Sequence, residues 1–284
     1  MNYLKNSFRV VRLSEAVHLL KNDQLTEPTV AITFDDGFMN NYTLAFPVLY
    51  ELGIPATIFL TTGLIDTDNT VWFTKLVNMI ETTNEQSLTV NGRHFLIDTP
   101  ANKFASSVEM QAFLKAMPHQ KLLEEIERIK VRLGCESSID KSSPFRMLDA
   151  HAINEMVVSG LIEFGAHTHN HAILSYLDEE HKLFEIENSI KAVSNLTGQP
   201  CILFAYPNGG QDDYDSQAMH MLESIGIQGA VTMVSGPNYY GMDALQLRRY
   251  GIGCDLSFQR FTANLYHFIW LVKTLDARRF FGRQ

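Results

Sequence analysis

Residues 29–34 read Thr-Val-Ala-Ile-Thr-Phe without a charge, and the run stops abruptly at Asp35-Asp36-Gly37. A β-branched, apolar run with no polar alternation predicts a buried parallel strand covered on both faces. Over residues 41–52 the spacing of Leu44, Val48, Leu49 and Leu52 is helical, and Gly53 ends the helix. Residues 55–60 predict the next strand. Ahead of this unit lie a short apolar stretch at 8–13 and a helix running to about Leu20, with Ser14 as its cap and Glu15 in its first turn. Strand-helix-strand alternation is the mark of a parallel α/β core.

Residues 66–143 break that rhythm. The pattern predicts a helix over 72–82, a hairpin over 87–97 turning at Asn91-Gly92, and helices over 108–116 and 120–133, the last stopped by Gly134. We read the chain as a single domain over 1–284 with 66–143 inserted at one end, shaping either a substrate site or a partner surface. The α/β rhythm then resumes: helix 149–159, strand 162–166, a long amphipathic helix 178–197 closed by Gly198, and strand 201–206. After the turn Pro207-Asn208-Gly209-Gly210 come helix 214–225, strand 229–233 and a further strand at 247–252. Over 256–275, Phe258, Phe261, Leu265, Phe268, Ile269, Val272 and Leu275 recur at helical intervals, which predicts a helix packed on the core. A basic tail, Arg278 to Arg283, follows.

Composition changes the picture only by exclusion. At 284 residues and 45% hydrophobic content the chain can bury one large core. Its net charge of -9 argues against nucleic acid or an anionic membrane as the main partner. The three cysteines, Cys135, Cys201 and Cys254, are widely spaced and suggest reduced thiols rather than a disulfide framework. No apolar stretch is long enough to span a bilayer, and the first residues carry no leader signature. The expected location is therefore cytoplasmic or peripherally cell-associated, or exported if a leader has been removed.

Chemistry concentrates at two strand ends. Asp35-Asp36 closes the first strand, and Gly37 lets the backbone turn so that both carboxylates can face one side. After strand 162–166 comes His167-Thr168-His169-Asn170-His171, three of the ten histidines within five residues. The four-residue step from His167 to His171 would bring two imidazoles together on one helical turn. Such a pair, with a carboxylate as third ligand, suits a borderline-soft divalent metal.

Thr33-Phe34-Asp35-Asp36-Gly37, then His167-Thr168-x-x-His171, then Phe204-Ala205-Tyr206-Pro207-Asn208-Gly209 together resemble the first three motifs of the polysaccharide deacetylase family. This is the carbohydrate esterase group built on the NodB-like, chitooligosaccharide-deacetylase domain. The resemblance implies a distorted (β/α) barrel and metal-dependent removal of acetyl groups from N-acetylated sugars. It implies Asp36, His167 and His171 as ligands of a metal, zinc by preference, and Asp35 as general base. Tyr206, Pro207, Asn208 and Gly209 would bind substrate, with a backbone N–H near Asn208 toward the oxyanion. Two departures stand out. Ala205 occupies the place of the arginine that often pairs with the base, leaving Arg248 or Arg249 to supply it, with Arg249 preferred. The late Leu-x-His motif is absent where Val231-Thr232-Met233 stands, so the general acid is unassigned; His220 and His267 read as packing residues. The family's usual first strand and loop also lack a clear counterpart.

The leading reading is a hydrolase of an N-acyl amino sugar, with a specialised or cell-associated glycan slightly favoured. A non-catalytic glycan-binding relic is the alternative. A phosphoester hydrolase is disfavoured by the acidic chain and the short Gly-Gly turn. Trp72, Tyr206, Tyr239 and Tyr240 are the aromatics considered for stacking on sugar rings, against core burial at each.

Overall fold

The first segments of the computed structural model, which describes residues 1–135, 139 and 142–267, lay down two sheets at once. In order they are α1 (Asn2–Ser7), β1 (Arg9–Val11), α2 (Leu13–Lys21), β2 (Thr29–Ala31), β3 (Thr33–Phe34), α3 (Phe46–Leu52) and β4 (Ala56–Leu60). The apolar run 29–34 is not one strand. Its first half pairs in parallel with β1 and its second half with β4, so it passes from one sheet to another. It is also half-buried rather than enclosed. Each half has a neighbour on one side only, which an apolar pattern does not reveal. The strand buried throughout is β4, whose five residues all lie in the core.

Ser14 does not cap α2. Arg12 occupies the cap position, while Ser14 N–H and hydroxyl both donate to the Glu163 carboxylate, the backbone bond at 3.0 Å. A tertiary anchor replaces the local one. The helix after Asp35-Asp36-Gly37 opens with a π-type turn over Asn41–Ala45 and ends where Gly53 takes φ 62.

Next come α4 (Trp72–Thr82), the hairpin β5 (Ser87–Val90) and β6 (Arg93–Leu96), α5 (Pro100–Lys115) and α6 (His119–Arg132). Asn91 and Gly92 turn the hairpin at φ 46 and 79, the left-handed pair that a two-residue loop requires. Helix α5 starts well before residue 108: Thr99 accepts from Asn102 N–H at 3.2 Å and Pro100 takes the first turn. Its periodicity is weak because it buries Ser106 and Ser107 while leaving Phe104 70% exposed. Together these elements enclose an apolar cluster of their own, including Trp72, Leu76, Phe95, Met110 and Ile126.

The remaining elements are α7 (Ala150–Val158), β7 (Ile162–Ala166), α8 (Glu179–Thr197), β8 (Leu203–Ala205), α9 (Ser216–Ile225), β9 (Gly229–Val231) and α10 (Phe258–Leu265). Asp149, Asp178 and Asp215 cap α7, α8 and α9 through their side chains. The main sheet runs β3-β4-β7-β8-β9, all parallel, and forms a half-barrel with helices outside. Side chains of Ile58, Leu60, Phe164, Phe204 and Ile186 lie in its core. Gly165 allows the tightest approach, since a Cβ there would sit 2.5 Å from the Phe59 ring. The expected strand at 247–252 is a single bridge from Leu247 to Val231 followed by irregular chain. Its backbone groups go instead to the loop after β9: Arg249 N–H donates to Val234 at 3.1 Å, and Asn238 bonds Arg248 on both sides. Of the core-packed helix expected over 256–275, α10 covers Phe258–Leu265 and buries none of its residues; Phe268, Ile269, Val272, Leu275 and the basic tail lie outside the described residues.

Candidate active site

The acidic cluster lies at the carboxyl end of β3 and the imidazole cluster at that of β7, two parallel strands with β4 between them, at the ends where barrel folds keep their chemistry. Beyond β3 the backbone reverses sharply: Asp36 takes φ 71 and Gly37 φ 81. Glycine is favoured at position 37 by that conformation, and a Cβ there would also press on Leu60 Cδ2 at 2.9 Å. Thr61 N–H donates to the Asp36 carbonyl at 3.2 Å and Leu148 N–H to the Gly37 carbonyl at 2.8 Å, which pins the turn between two elements.

After β7, residues 167–172 form an irregular loop, not the helical turn the spacing suggests. Thr168 and His171 both sit in the left-handed region, at φ 58 and 57. The two imidazoles converge all the same, with ring centroids 4.9 Å apart. His167 Nδ1 faces the Ala205 carbonyl at 2.7 Å, which turns Nε2 toward the carboxylate. From Asp36 Oδ1 the distances are 3.5 Å to His167 Nε2 and 3.2 Å to His171 Nε2. These contacts are long for charge-assisted hydrogen bonds. They match the ligand-to-ligand edge of a tetrahedron with roughly 2.0–2.1 Å arms, which is about 3.3–3.4 Å. All three donor atoms lie within 4.8 Å of one another. One carboxylate and two imidazoles can thus hold a divalent ion with further positions open. Burial raises the proton affinity of Asp36, but hydrogen bonds and charge from the two histidines outweigh it and hold the carboxyl well below its usual range. Burial alone would lower the proton affinity of His167; Asp36 and Asp35 reverse it and raise it.

Asp35 belongs to a second device beside the first. Arg249 reaches it in a fork, Nη1 to Oδ1 at 2.7 Å and Nη2 to Oδ2 at 2.8 Å. Nε of the same guanidinium donates to the Thr232 carbonyl at 2.8 Å, and Nη1 also to Thr33 Oγ1 at 3.1 Å. The arginine is thereby fixed in plane before it meets the acid. Burial works to raise the Asp35 carboxyl, yet Arg249 and His167 together hold it below its ordinary value.

The third motif is placed differently along its length. Tyr206, expected as a substrate contact, is 1% exposed; its ring stacks on Tyr214 at 4.1 Å and its hydroxyl donates to the Leu245 carbonyl. That side chain belongs to the core because β8 carries it inward. Pro207, Asn208 and Gly209 form the turn beyond, with Asn208 at φ 62 and Gly209 at φ 71. A Cβ on Gly209 would lie 2.8 Å from Met233 N. Gly209 N–H donates to Pro207, while the Asn208 N–H meets no acceptor among the described residues. His220 lies on α9, and His267 bonds Tyr250. Trp72 is buried, whereas Tyr239 and Tyr240 are exposed.

Of two residues in the 72–133 elements that the sequence does not single out, one touches an imidazole and the other stands within range of its charge. Phe73 stands edge-on to His171, centroids 5.4 Å apart. His119 leaves Nε2 buried without a hydrogen-bond partner among the described residues; burial lowers its proton affinity, and it feels the charge of Glu185 and of His171. Both come from outside any motif, so no local pattern points to them.

Comparison with known proteins meets this geometry from the other side. The family profile described as polysaccharide deacetylase matches residues 22–230. A Bacillus subtilis relative, YxkH, which bears a polysaccharide deacetylase name, is 43% identical over 56 residues, a match spanning 19% of this chain and 20% of that one. Among solved structures, IcaB from Ammonifex degensii superposes with a TM-score of 0.58 at 21% identity, covering 93% of this chain and 85% of that one. The Streptococcus pyogenes deacetylase PplD, solved in complex with acetate, gives 0.54 at 18% identity, covering 92% and 81%. The fold is shared with these structures, and the chain belongs to the polysaccharide deacetylase family.

Proposed function

We propose that this protein is a metal-dependent hydrolase that removes the N-acetyl group from an amino sugar of a glycan, with Asp35 as base. The observation that carries the reading is the Arg249 fork on Asp35 directly beside the Asp36–His167–His171 cluster. The donor set of two imidazoles and one carboxylate favours zinc among divalent ions. Bound there, such an ion supplies Lewis acidity toward a water and toward the amide carbonyl.

The chain's own residues do the rest. Asp35, kept ionised by Arg249, accepts a proton from the attacking water as its oxygen adds to the amide carbon. The Asn208 N–H serves the oxygen of the tetrahedral intermediate, a contribution of about 3 kcal/mol where such donors have been removed. When the C–N bond breaks, the leaving amine needs a proton. Asp35 holds the one it took, and a carboxyl with lowered proton affinity releases it readily. Arg249 from the last core segment supplies the guanidinium that Ala205 cannot, which removes one of the two motives for a non-catalytic relic; the absent late histidine is the other.

Acetate release from N-acetylglucosamine oligomers by the zinc-loaded protein tests the reading. Asp35→Asn should lower turnover by about 10²–10⁴-fold and keep one equivalent of zinc. A glycan binder without catalysis would release no acetate and would be indifferent to the substitution, and that result retires the proposal.

A further inference from the structure

We propose that Glu185 is a positioning residue of the metal centre: from α8 it holds the 167–172 loop in the backbone path that brings His171 to Asp36. The proposal rests on the metal-centre reading above. Glu185 is not among the three clustered donors. It is 5% exposed and, among the described residues, has no lysine or arginine within ion-pair distance; Lys182, one turn earlier, is engaged by Asp215 and Gln217. A buried carboxylate without a cation is destabilising unless hydrogen bonds satisfy it. Glu185 has two, both from the residue preceding the ligand. Asn170 N–H donates to Oε2 at 2.7 Å and Asn170 Nδ2 to Oε1 at 2.7 Å.

The loop needs such a hold. Thr168 and His171 both carry a Cβ at positive φ, a conformation that is costly for such residues and kept only where surroundings impose it. On the opposite side Gly63 N–H donates to the His169 carbonyl at 2.7 Å, and Thr62 Oγ1 meets His169 Nδ1 at 2.9 Å. A Cβ on Gly63 would lie 2.8 Å from that carbonyl and 2.9 Å from Asn170 Oδ1, so the loop is closed in on that side. Glu185 is the polar clamp on the other. Its charge also adds to the negative field that a cation at the site would feel.

The bonding pattern can be inverted without changing its shape. In Glu185→Gln one Asn170 donor faces an amide N–H₂. Adding Asn170→Asp turns the side-chain bond round, so that the amide donates and the carboxylate accepts. Zinc affinity by calorimetry, together with the absorption spectrum of the cobalt(II)-loaded protein, reads the centre without any substrate. Glu185→Gln should weaken zinc binding about 10–100-fold, the range for outer partners of metal ligands, and alter the cobalt spectrum. The double variant should recover both. Asn170→Ala deletes only the side-chain bond, should give an intermediate loss, and stands in if Glu185→Gln does not fold. Unchanged affinity in the single variants overturns the proposal, as does a loss that the double variant fails to recover. A wild-type chain that binds no zinc retires the metal centre itself, and the proposal with it. Zinc binding without acetate release leaves Glu185 testable while the deacetylase reading falls.

Discussion

Asp35 is the residue at which local sequence and distant structure meet. Its place at a strand end is legible in the run 29–37, and so is its neighbour Asp36. What holds it ionised comes from more than two hundred positions away, on a segment with no regular structure. The preference for Arg249 over Arg248 was open to sequence reading only as a choice between adjacent arginines; the fork onto Asp35 distinguishes them. Replacing Arg249 by methionine removes the charge that offsets burial, so the Asp35 carboxyl should titrate at higher pH. The acidic limb of kcat/KM should therefore move to higher pH in Arg249→Met, with a fall of about tenfold or more above that limb, since a charge-assisted bond is worth about 1.5–3 kcal/mol. A pH–rate profile of the two proteins checks this. An unmoved acidic limb would mean that Asp35 is not the group titrating.

The elements show where sequence patterns succeed and where they run out. Helices with an apolar stripe and a capping acid, such as α7 and α8, fall close to their expected bounds. Strands β4 and β7 do as well, being apolar except for Thr57 and Glu163. The pattern fails where tertiary partners take up polar residues: Ser14 is taken by Glu163 and does not cap its helix, and Ser106 is buried on the Leu96 carbonyl inside a helix that starts before its apolar pattern does. It fails again at 167–172, where two left-handed residues mimic the result of a helical turn. Asp215 illustrates how an end residue can serve two elements. It caps α9 by accepting from Ala218 N–H at 2.8 Å and pairs with the buried Lys182 of α8 at 2.6 Å. Asp215→Asn keeps the cap and loses the charge, whereas Asp215→Ala loses both. Chemical denaturation should find both destabilised, with the alanine variant lower by about a further 1 kcal/mol. Equal losses would assign the whole effect to the ion pair.

Across the whole molecule, charge and metal act in opposite senses with pH. In the metal-free protein the raised proton affinity of His167 contributes stability that is fully present below the unfolded value of about 6.5 and is lost as pH rises through the folded value. The depressed carboxyls of Asp35 and Asp36 contribute above their unfolded value near 3.9 and lose it as pH falls through their folded values. On the proposed function, a metal held by His167 would need that imidazole neutral, so binding would displace the proton that Asp36 helps retain. The rise in melting temperature on adding zinc should thus be larger at pH 8 than at pH 6, and chelation should reverse it. A zinc increment independent of pH would exclude His167 as a ligand.

The edge of Phe73 against His171 gives the 72–133 elements a significance that their separate apolar core conceals. Viewed as a part to be exchanged, that segment looks self-contained, with its own interior and a hairpin and helices that pack on one another. A replacement cut at residues 66 and 143 would nevertheless strip one wall from an imidazole. Any graft meant to retune which glycan is accepted has to carry an aromatic back to that spot, so the natural seam for recombination runs inside the segment and leaves Phe73 with the barrel.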